Sequence, residues 1–190
     1  MMDAAIHVFA QCAYKRASME AIAARAGVSK ALLFHYFGSK KELHQFVYAY
    51  ATKLVIRQMS ELHDYEETDF FRILIDAQMA KIRILGQHPD LMNFLTKAYF
   101  EENAQVRPYL NDNFAAIVAD SSRRFLARAD SSRLKDEITA RQALNIVLWM
   151  ADGFMRSRTP QQLEDLGTVN AEFLQHVEIL RRQFYKEEFQ

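Results

Sequence analysis

Apolar residues recur along this chain at intervals of three and four positions, and this spacing predicts amphipathic helices rather than strands. Residues that interrupt helices are scarce, because the 190-residue chain contains only five glycines and three prolines. The pattern therefore predicts an all-α fold, with short helices over residues 1–50 and longer helices after about residue 68. One stripe in the longer helices consists of Phe71, Leu74, Ile75, Met79 and Ile82.

The amino-terminal region contains two short predicted helices separated by a glycine. Ser18 is placed to cap a helix over residues 19–26, because a serine hydroxyl accepts a hydrogen bond from a backbone N–H of the first turn. Gly27 is placed to end that helix, and Ser29 to cap a second helix over residues 30–37. Two capped helices joined by a tight turn predict a helix-turn-helix, whose second helix enters the major groove of DNA.

The second of these helices has a face suited to contact base edges. Lys30 and Phe34 are four positions apart, as are Ala31 and His35, so these four side chains share one face. Such a face offers positive charge, hydrogen bonds and apolar surface to a major groove. The alternative is that Phe34 and the neighbouring Tyr36 are core aromatics of a small helical bundle.

The whole-chain charge argues against nucleic acid, but its distribution does not. Basic and acidic residues both number 24, so the formal net charge is zero, whereas DNA-binding domains are typically basic. Residues 1–50 hold six basic and three acidic residues, while residues 51–190 hold 18 and 21. The neutral total therefore combines a basic amino-terminal part of +3 with an acidic remainder of −3.

Other classes of function have little support. The single Cys12 excludes an internal disulfide and fits a cytoplasmic protein, and the start of the chain lacks the basic segment of a signal peptide. The apolar stretch over 143–151 is too short to span a membrane. No histidine pair has metal-ligand spacing, and no glycine-rich phosphate loop is present. We therefore expect no metal, no cofactor, no catalytic residues and no enzymatic activity.

The positions that suggest a family are Phe9, Tyr14, Ile22-Ala23, Ala26-Gly27-Val28-Ser29-Lys30, Leu33, His35-Tyr36-Phe37, Ser39-Lys40 and Leu43. With these residues in register, residues 1 to about 50 resemble the DNA-binding domain of the TetR/AcrR family of bacterial transcriptional regulators. The resemblance implies a DNA-binding domain over 1–50 and a helical effector-binding and dimerisation domain over 51–190. It also implies a homodimer that binds a pseudo-palindromic operator in double-stranded DNA.

The same resemblance implies which residues contact DNA. Most of them would bind backbone phosphates, Lys30 could also reach base edges, and His35 is the best candidate for a base contact. The family usually has a small hydroxyl residue where Leu32 stands, so one phosphate hydrogen bond is expected to be missing. The implied DNA-binding set is Ser18, Ser29, Lys30, Ala31, Phe34, His35, Tyr36 and Lys40.

The last two helices, predicted over about 136–156 and 168–189, are apolar on more than one side. A helix buried on several faces needs cover from its own domain and from something else. The resemblance places these helices in a four-helix interface with a partner chain, and the alternative is a helix pair inside one core. The predicted interface residues are Leu144, Leu148, Ala151, Met155, Phe173, Val177, Leu180 and Phe184.

The predicted function is a repressor that an apolar small molecule releases from its operator by changing the spacing of the two recognition helices. Aromatic and methionine side chains in the central helices suggest the effector pocket, although each such residue, taken alone, is more often a core residue. One alternative is a regulator without a small-molecule effector. A second is a helical enzyme or lipid-binding module with a vestigial DNA-binding head. The predicted lining residues are Met79, Phe94, Tyr99, Phe114 and Trp149.

Overall fold

A computed structural model describes residues 1–190 and contains helices but no sheet. Pairing of the β type is limited to two isolated bridges, Asp69 with Asp130 and Leu134 with Tyr185. The all-α prediction is therefore confirmed. The helices are α1 (Met2–Gln11), α2 (Met19–Ala26), α3 (Lys30–Phe37), α4 (Lys40–Glu61), α5 (Phe70–Gln87), α6 (Pro89–Tyr99), α7 (Arg107–Arg128), α8 (Ala140–Arg156) and α9 (Leu166–Phe184), with short 3-10 helices at Gln161–Leu163 and Glu187–Phe189.

The chain divides into two compact units, and the first combines Met1–Glu61 with Ile84–Ile117. Its core joins the helix-turn-helix to α6, which lies along α1. The imidazole Nδ1 of His7 is 2.7 Å from Oδ2 of Asp90 at the start of α6. The helix-turn-helix therefore shares its core with a segment well beyond residue 50, while the functional boundary at residue 50 stays a prediction. Completely buried members of this core include Phe9, Ile22, Leu33, Leu43, Val47 and Phe94.

The second unit combines Leu62–Arg83 with Val118–Gln190. The buried Tyr185 hydroxyl donates to Oδ1 of Asp69 at 2.9 Å and accepts from the backbone N–H of Phe71 at 3.2 Å. These bonds join the carboxyl-terminal end of α9 to the start of α5. Burial raises the pKa of Tyr185, so the hydroxyl keeps its proton. The apolar core around it contains Phe70, Phe71, Leu134, Leu144, Val147 and Val177.

Helix α8 begins later than predicted, at Ala140. Thr139 and Gln142 form a capping box, in which the Thr139 hydroxyl accepts from the Gln142 N–H and the Gln142 side chain accepts from the Thr139 N–H. Helix α9 begins at Leu166, where Asp165 accepts from the N–H of Thr168 at 3.1 Å, and it ends at Phe184. Local side-chain caps thus set both starts.

The predicted dimer-interface residues on these two helices need a correction. Leu144 is 3% exposed and Val177 is 2% exposed, and both belong to the core of their own unit. Leu148, Phe173, Leu180 and Phe184 pack against that core as well. Helical periodicity identifies an apolar stripe but does not tell what covers it, and here the core of their own unit covers Leu144 and Val177. The interface role of the other six residues stays a prediction. Large apolar side chains that do face outward are Trp149 on α8 and Ile179 on α9.

Candidate nucleic-acid interface

The predicted bounds of α2 and the glycine turn after it are confirmed. The Ser18 side chain accepts a hydrogen bond from the N–H of Ala21 at 3.1 Å, and the helix runs over Met19–Ala26. Gly27 then takes a left-handed conformation, with φ of 67°, which favours glycine because it has no Cβ. The next residue, Val28, donates its N–H back to the carbonyl of Ala23 at 3.1 Å, which closes the helix end.

Helix α3 is attached to the protein by very little buried surface. The Ser29 hydroxyl caps it by accepting from the N–H of Leu32 at 3.1 Å. Leu33 is the one residue of α3 that is buried, and Phe37 is partly buried. The other six residues are exposed, as expected for a helix whose outer surface has a partner of its own.

The exposed face of α3 carries charge and aromatic rings together. The Lys30 ammonium forms an ion pair with Glu20 on α2 and lies 5.6 Å from the ring centroid of Phe34. The hydrogen bond from Lys30 lowers the pKa of Glu20. Tyr36 is 66% exposed and meets the ring of His35 edge to face at 5.6 Å. Exposed aromatic side chains beside a cation are typical of a binding surface.

The structure brings most of the predicted DNA-contacting residues onto the helix-turn-helix surface. Lys30, Ala31, Phe34, His35 and Tyr36 are exposed. The Ser18 and Ser29 hydroxyls accept hydrogen bonds as caps, and each still has its own O–H to donate to a phosphate at a helix N-terminus. Sequence reasoning missed Glu20, because its contact with Lys30 joins two helices and leaves no local pattern.

Lys40 differs from the prediction that it contacts phosphate. Its ammonium donates to three backbone carbonyls in the connection before α2, at 2.9 Å to Tyr14, 3.3 Å to Lys15 and 2.9 Å to Ala17. An ammonium has three protons to donate. Lys40 therefore holds its own protein chain, and it contacts Tyr14 twice, through the backbone carbonyl and through the ring, whose centroid lies 4.5 Å from the ammonium.

The predicted effector-lining residues are distributed over both compact units. Tyr99 and Phe114 lie in the first unit, where their rings meet edge to face with centroids 6.0 Å apart. Met79 and Trp149 lie in the second unit and are 48% and 70% exposed. Phe94 requires a correction because it is a core residue, 1% exposed. The apolar face of an amphipathic helix packs against the core, and Phe94 lies on that face of α6.

A polar cleft of about 450 Å³ lies in the second unit, between the end of α8 and the start of α9. Its Arg158 guanidinium stacks 3.5 Å from the ring centroid of Phe154 and forms an ion pair with Glu172. This cleft was not predictable from local sequence patterns, because Arg158 and Glu172 meet only through the turn between the two helices. Its lining residues are Ser157, Arg158, Gln162, Asp165, Thr168, Val169 and Glu172.

Two possible features of other protein classes are absent from the described residues 1–190. No helix is long and apolar enough to cross a membrane. No group of three or more histidine, cysteine, aspartate or glutamate side chains is placed to hold a metal ion.

Comparison with known proteins identifies the amino-terminal part. Residues 1–45 match the sequence profile described as "Bacterial regulatory proteins, tetR family", which covers α1 to the start of α4. No curated protein matches the chain in sequence.

Solved structures match nearly the whole chain. The transcriptional regulator FadR from Bacillus subtilis, in complex with stearoyl-CoA, has a TM-score of 0.73 at 17% identity, covering 97% of each chain. The fatty acid degradation regulator FadR from Bacillus halodurans has a TM-score of 0.71 at 18% identity, covering 95% of each chain. A putative transcriptional regulator from Saccharomonospora viridis, in complex with choline, has a TM-score of 0.70 at 19% identity, covering 98% of this chain and 96% of that one.

At these identities the structural matches establish the fold, and the amino-terminal profile together with the capped helix-turn-helix establishes the kind of domain it carries. Residues 1–45 therefore form a helix-turn-helix domain similar to that of the tetR family of bacterial regulatory proteins, and the chain as a whole has the fold of the solved transcriptional regulators.

Proposed function

We propose that this regulator is a repressor that binds a two-fold-related operator as a homodimer and leaves it when an apolar small molecule binds. The observation that carries the proposal is the outer face of α3. Leu33 alone is buried on that helix, while Lys30, Phe34 and His35 are exposed together. A helix exposed in this way can enter the major groove. The preceding helix, α2, would then lie across the DNA backbone and fix the orientation of α3 in the groove.

The residues on this surface divide into two groups by what they can recognise. The hydroxyls of Ser18, Ser29 and Tyr36 and the ammonium of Lys30 are suited to phosphate oxygens, which fix position but carry no sequence information. The imidazole of His35 can hydrogen-bond base edges, and Ala31 and Phe34 offer apolar surface beside it. The charge of +3 on residues 1–50 adds attraction to the DNA backbone.

Dimerisation through α8 and α9 is supported by what their outer faces expose. Trp149 is 70% exposed and Ile179 is 58% exposed, and burial of these side chains against a second chain would stabilise a dimer. Gly153, one turn after Trp149, has open space around its Cα, and a glycine at such a place lets another helix approach closely. Sizing at micromolar concentration tests this pairing, and a monomer would contradict it.

A small-molecule effector is supported by the similar solved structures, and an apolar one by the FadR complex from Bacillus subtilis. The Bacillus subtilis FadR carries stearoyl-CoA and the Saccharomonospora viridis regulator carries choline, one with a long acyl chain and one a small cation. The prediction that Met79, Tyr99, Phe114 or Trp149 contacts the effector remains part of this proposal. Fatty acyl compounds are the first ligands to test, with choline as the comparison.

The DNA-binding part is tested by selecting duplexes from a random-sequence library with the purified protein. The Tyr36→Phe variant should weaken binding to every selected duplex about fivefold, because it removes one hydrogen bond to phosphate. The His35→Ala variant should change which sequences are preferred. Tyr65→Phe is the matched control, because Tyr65 is equally exposed at 64% but lies in the other unit.

The effector part is tested on the duplex that is selected. Stearoyl-CoA should raise the melting temperature of the protein and release the duplex, whereas choline should do neither. Selection of no duplex over random competitor at physiological salt would overturn the regulator proposal. A duplex that no acyl ligand releases would instead favour a regulator without a small-molecule effector.

A further inference from the structure

The connection between α1 and α2, residues 12–18, is held from two sides at Tyr14. The backbone N–H of Tyr14 donates to Oε2 of Glu101, two residues after the end of α6, at 3.1 Å. The backbone carbonyl of Tyr14 accepts from Nζ of Lys40, the first residue of α4, at 2.9 Å. One short segment is therefore bonded both to α4 and to the end of α6.

On the α4 side, the Lys40 ammonium joins the two ends of the helix-turn-helix. Lys40 follows the end of α3 by three residues. Its other carbonyl acceptors include Ala17, which directly precedes Ser18, the cap of α2. Lys40, three residues after the end of α3, is thus bonded to Ala17, two residues before the start of α2. This contact fixes where α2 begins relative to where α3 ends.

On the α6 side, the Glu101 carboxylate is itself fixed in place. Its Oε1 accepts from the backbone N–H of Asn103 at 2.9 Å, so the side chain cannot rotate freely away from Tyr14. The Tyr14 side chain is 4% exposed and packs edge to face on His44 at 5.2 Å. Hydrogen bonds to charged groups are stronger than those between neutral groups. Both contacts to the Tyr14 backbone are of this charged kind.

We infer that Lys40 and Glu101 clamp the Tyr14 backbone from opposite sides, and that the clamp positions the helix-turn-helix for DNA. Lys40 is then a positioning residue and not a phosphate ligand. This inference rests on the proposed DNA binding through α2 and α3. It assigns Glu101, which lies far from any DNA-contacting residue in sequence, a part in operator affinity.

The first test measures binding of a duplex recovered by the wild-type protein from a random-sequence library. Lys40→Met keeps the length of the side chain but removes its donors, and Glu101→Ala removes the acceptor. Each variant should bind about tenfold more weakly. Glu102→Ala is the matched control, because Glu102 is exposed and its ion pair is with Arg107; its affinity should stay within about twofold of wild type.

The direction of the Glu101→Ala effect separates positioning from simple electrostatics. Loss of one negative charge should by itself strengthen binding to a polyanion. The clamp requires weaker binding instead. Equal or tighter binding by Glu101→Ala would overturn the inference. Glu101→Gln keeps an oxygen acceptor, so its affinity should lie between those of wild type and Glu101→Ala, and a value equal to that of Glu101→Ala would also count against the clamp.

Salt dependence separates the two roles of Lys40. Each lysine that neutralises a phosphate contributes about 0.9 to the slope of log affinity against log salt concentration. Lys40→Met should therefore weaken binding with an unchanged slope. A slope that falls by about this amount per protomer would make Lys40 a phosphate ligand and overturn its positioning role. The double variant should lose little more than either single variant, because both break one clamp.

A readout without DNA keeps this inference distinguishable from the proposed function. Hydrogen exchange of the Tyr14 amide should be faster in Glu101→Ala than in wild type, with folding checked by circular dichroism, and unchanged in Glu102→Ala. An unchanged Tyr14 exchange rate in Glu101→Ala would contradict the clamp. Failure of the wild-type protein to select any duplex would instead contradict the proposed function.

Discussion

Each compact unit has a polar aromatic ring deep in its core, His44 in the first and Tyr185 in the second, and the two rings differ in their hydrogen bonds. His44, in the first unit, is 3% exposed, and its Nδ1 has no hydrogen-bond partner. Its neighbours are the rings of Phe9 at 4.7 Å, Tyr14 at 5.2 Å and Phe94 at 5.5 Å. Tyr185, in the second unit, is 1% exposed, but its hydroxyl both donates and accepts a hydrogen bond.

This difference makes the two units respond differently to acid. Burial lowers the pKa of His44 to about 4. The charge of Glu101 raises this pKa and the charge of Lys40 lowers it, both to a smaller extent than burial. Protonation of the His44 imidazole is therefore disfavoured in the folded first unit, whereas in the unfolded chain this imidazole is protonated near pH 6.5. Burial raises the pKa of Tyr185, which stays neutral from acid to neutral pH. Acid should therefore destabilise the first unit through His44, whereas the hydrogen bonds of Tyr185 continue to stabilise the second unit.

The largest predicted effect is loss of stability of the first unit as the pH falls. A folded pKa near 4 contributes stability that is complete above pH 6.5 and is lost as the pH falls through 4. The difference between the two pKa values corresponds to about 3 kcal/mol. Hydrogen exchange followed by mass spectrometry should show earlier loss of protection in peptides from residues 1–61 than in those from 118–190.

Two variants sharpen this test. His44→Leu should remove the additional acid sensitivity of the first unit between pH 6.5 and 4. His88→Leu, at an exposed histidine in the same unit, should leave it unchanged. Equal acid sensitivity of wild type and His44→Leu would show that other groups, and not His44, control the first unit.

The next effect is the loss of a buried hydroxyl in the second unit. Tyr185→Phe leaves the N–H of Phe71 without its acceptor and Asp69 without one donor, and should lower the free energy of unfolding by about 2 kcal/mol. Denaturant unfolding measures this loss. Tyr65→Phe, at an exposed tyrosine of the same unit, is the control. A loss equal to that of the control would mean that the hydroxyl contributes nothing beyond the packing of its ring.

The smallest effect concerns the charge beside this network. Arg133 forms an ion pair with Asp69, with 2.6 Å between Nη1 and Oδ2, and its side chain is 46% exposed. Partly exposed ion pairs contribute little, so Arg133→Met should lower the free energy of unfolding by about 0.5 kcal/mol. The same denaturant experiment measures it. A loss larger than that of Tyr185→Phe would mean that the ion pair, and not the hydroxyl, holds Asp69.

The parts of the molecule that were predictable from sequence are those fixed by neighbours along the chain. Ser18, Gly27 and Ser29 act on backbone groups within four residues, and the bounds of α2 and α3 follow from them. The exposed face of α3 followed from helical spacing once Leu33 was placed inside. Such contacts need no knowledge of the tertiary fold.

The parts that could not be predicted depend on residues distant in sequence. Tyr14 and Glu101 are 87 positions apart and Asp69 and Tyr185 are 116 apart. The apolar stripe of α8 and α9 was visible, but the sequence could not decide whether Leu144 and Val177 faced their own core or a second chain. The contacts of Lys40 could not be predicted for the same reason, because its carbonyl partners lie more than 20 positions earlier.

The slight attachment of α3 has a consequence for how DNA specificity can change. Positions 31, 34 and 35 lie on a helix whose packing depends on Leu33, and all three are exposed. Exposed substitutions away from caps and core usually alter stability by less than about 0.5 kcal/mol. A library of variants at these three positions should therefore fold alike while it recognises different sequences. The regulator could acquire a new operator without first acquiring a more stable scaffold.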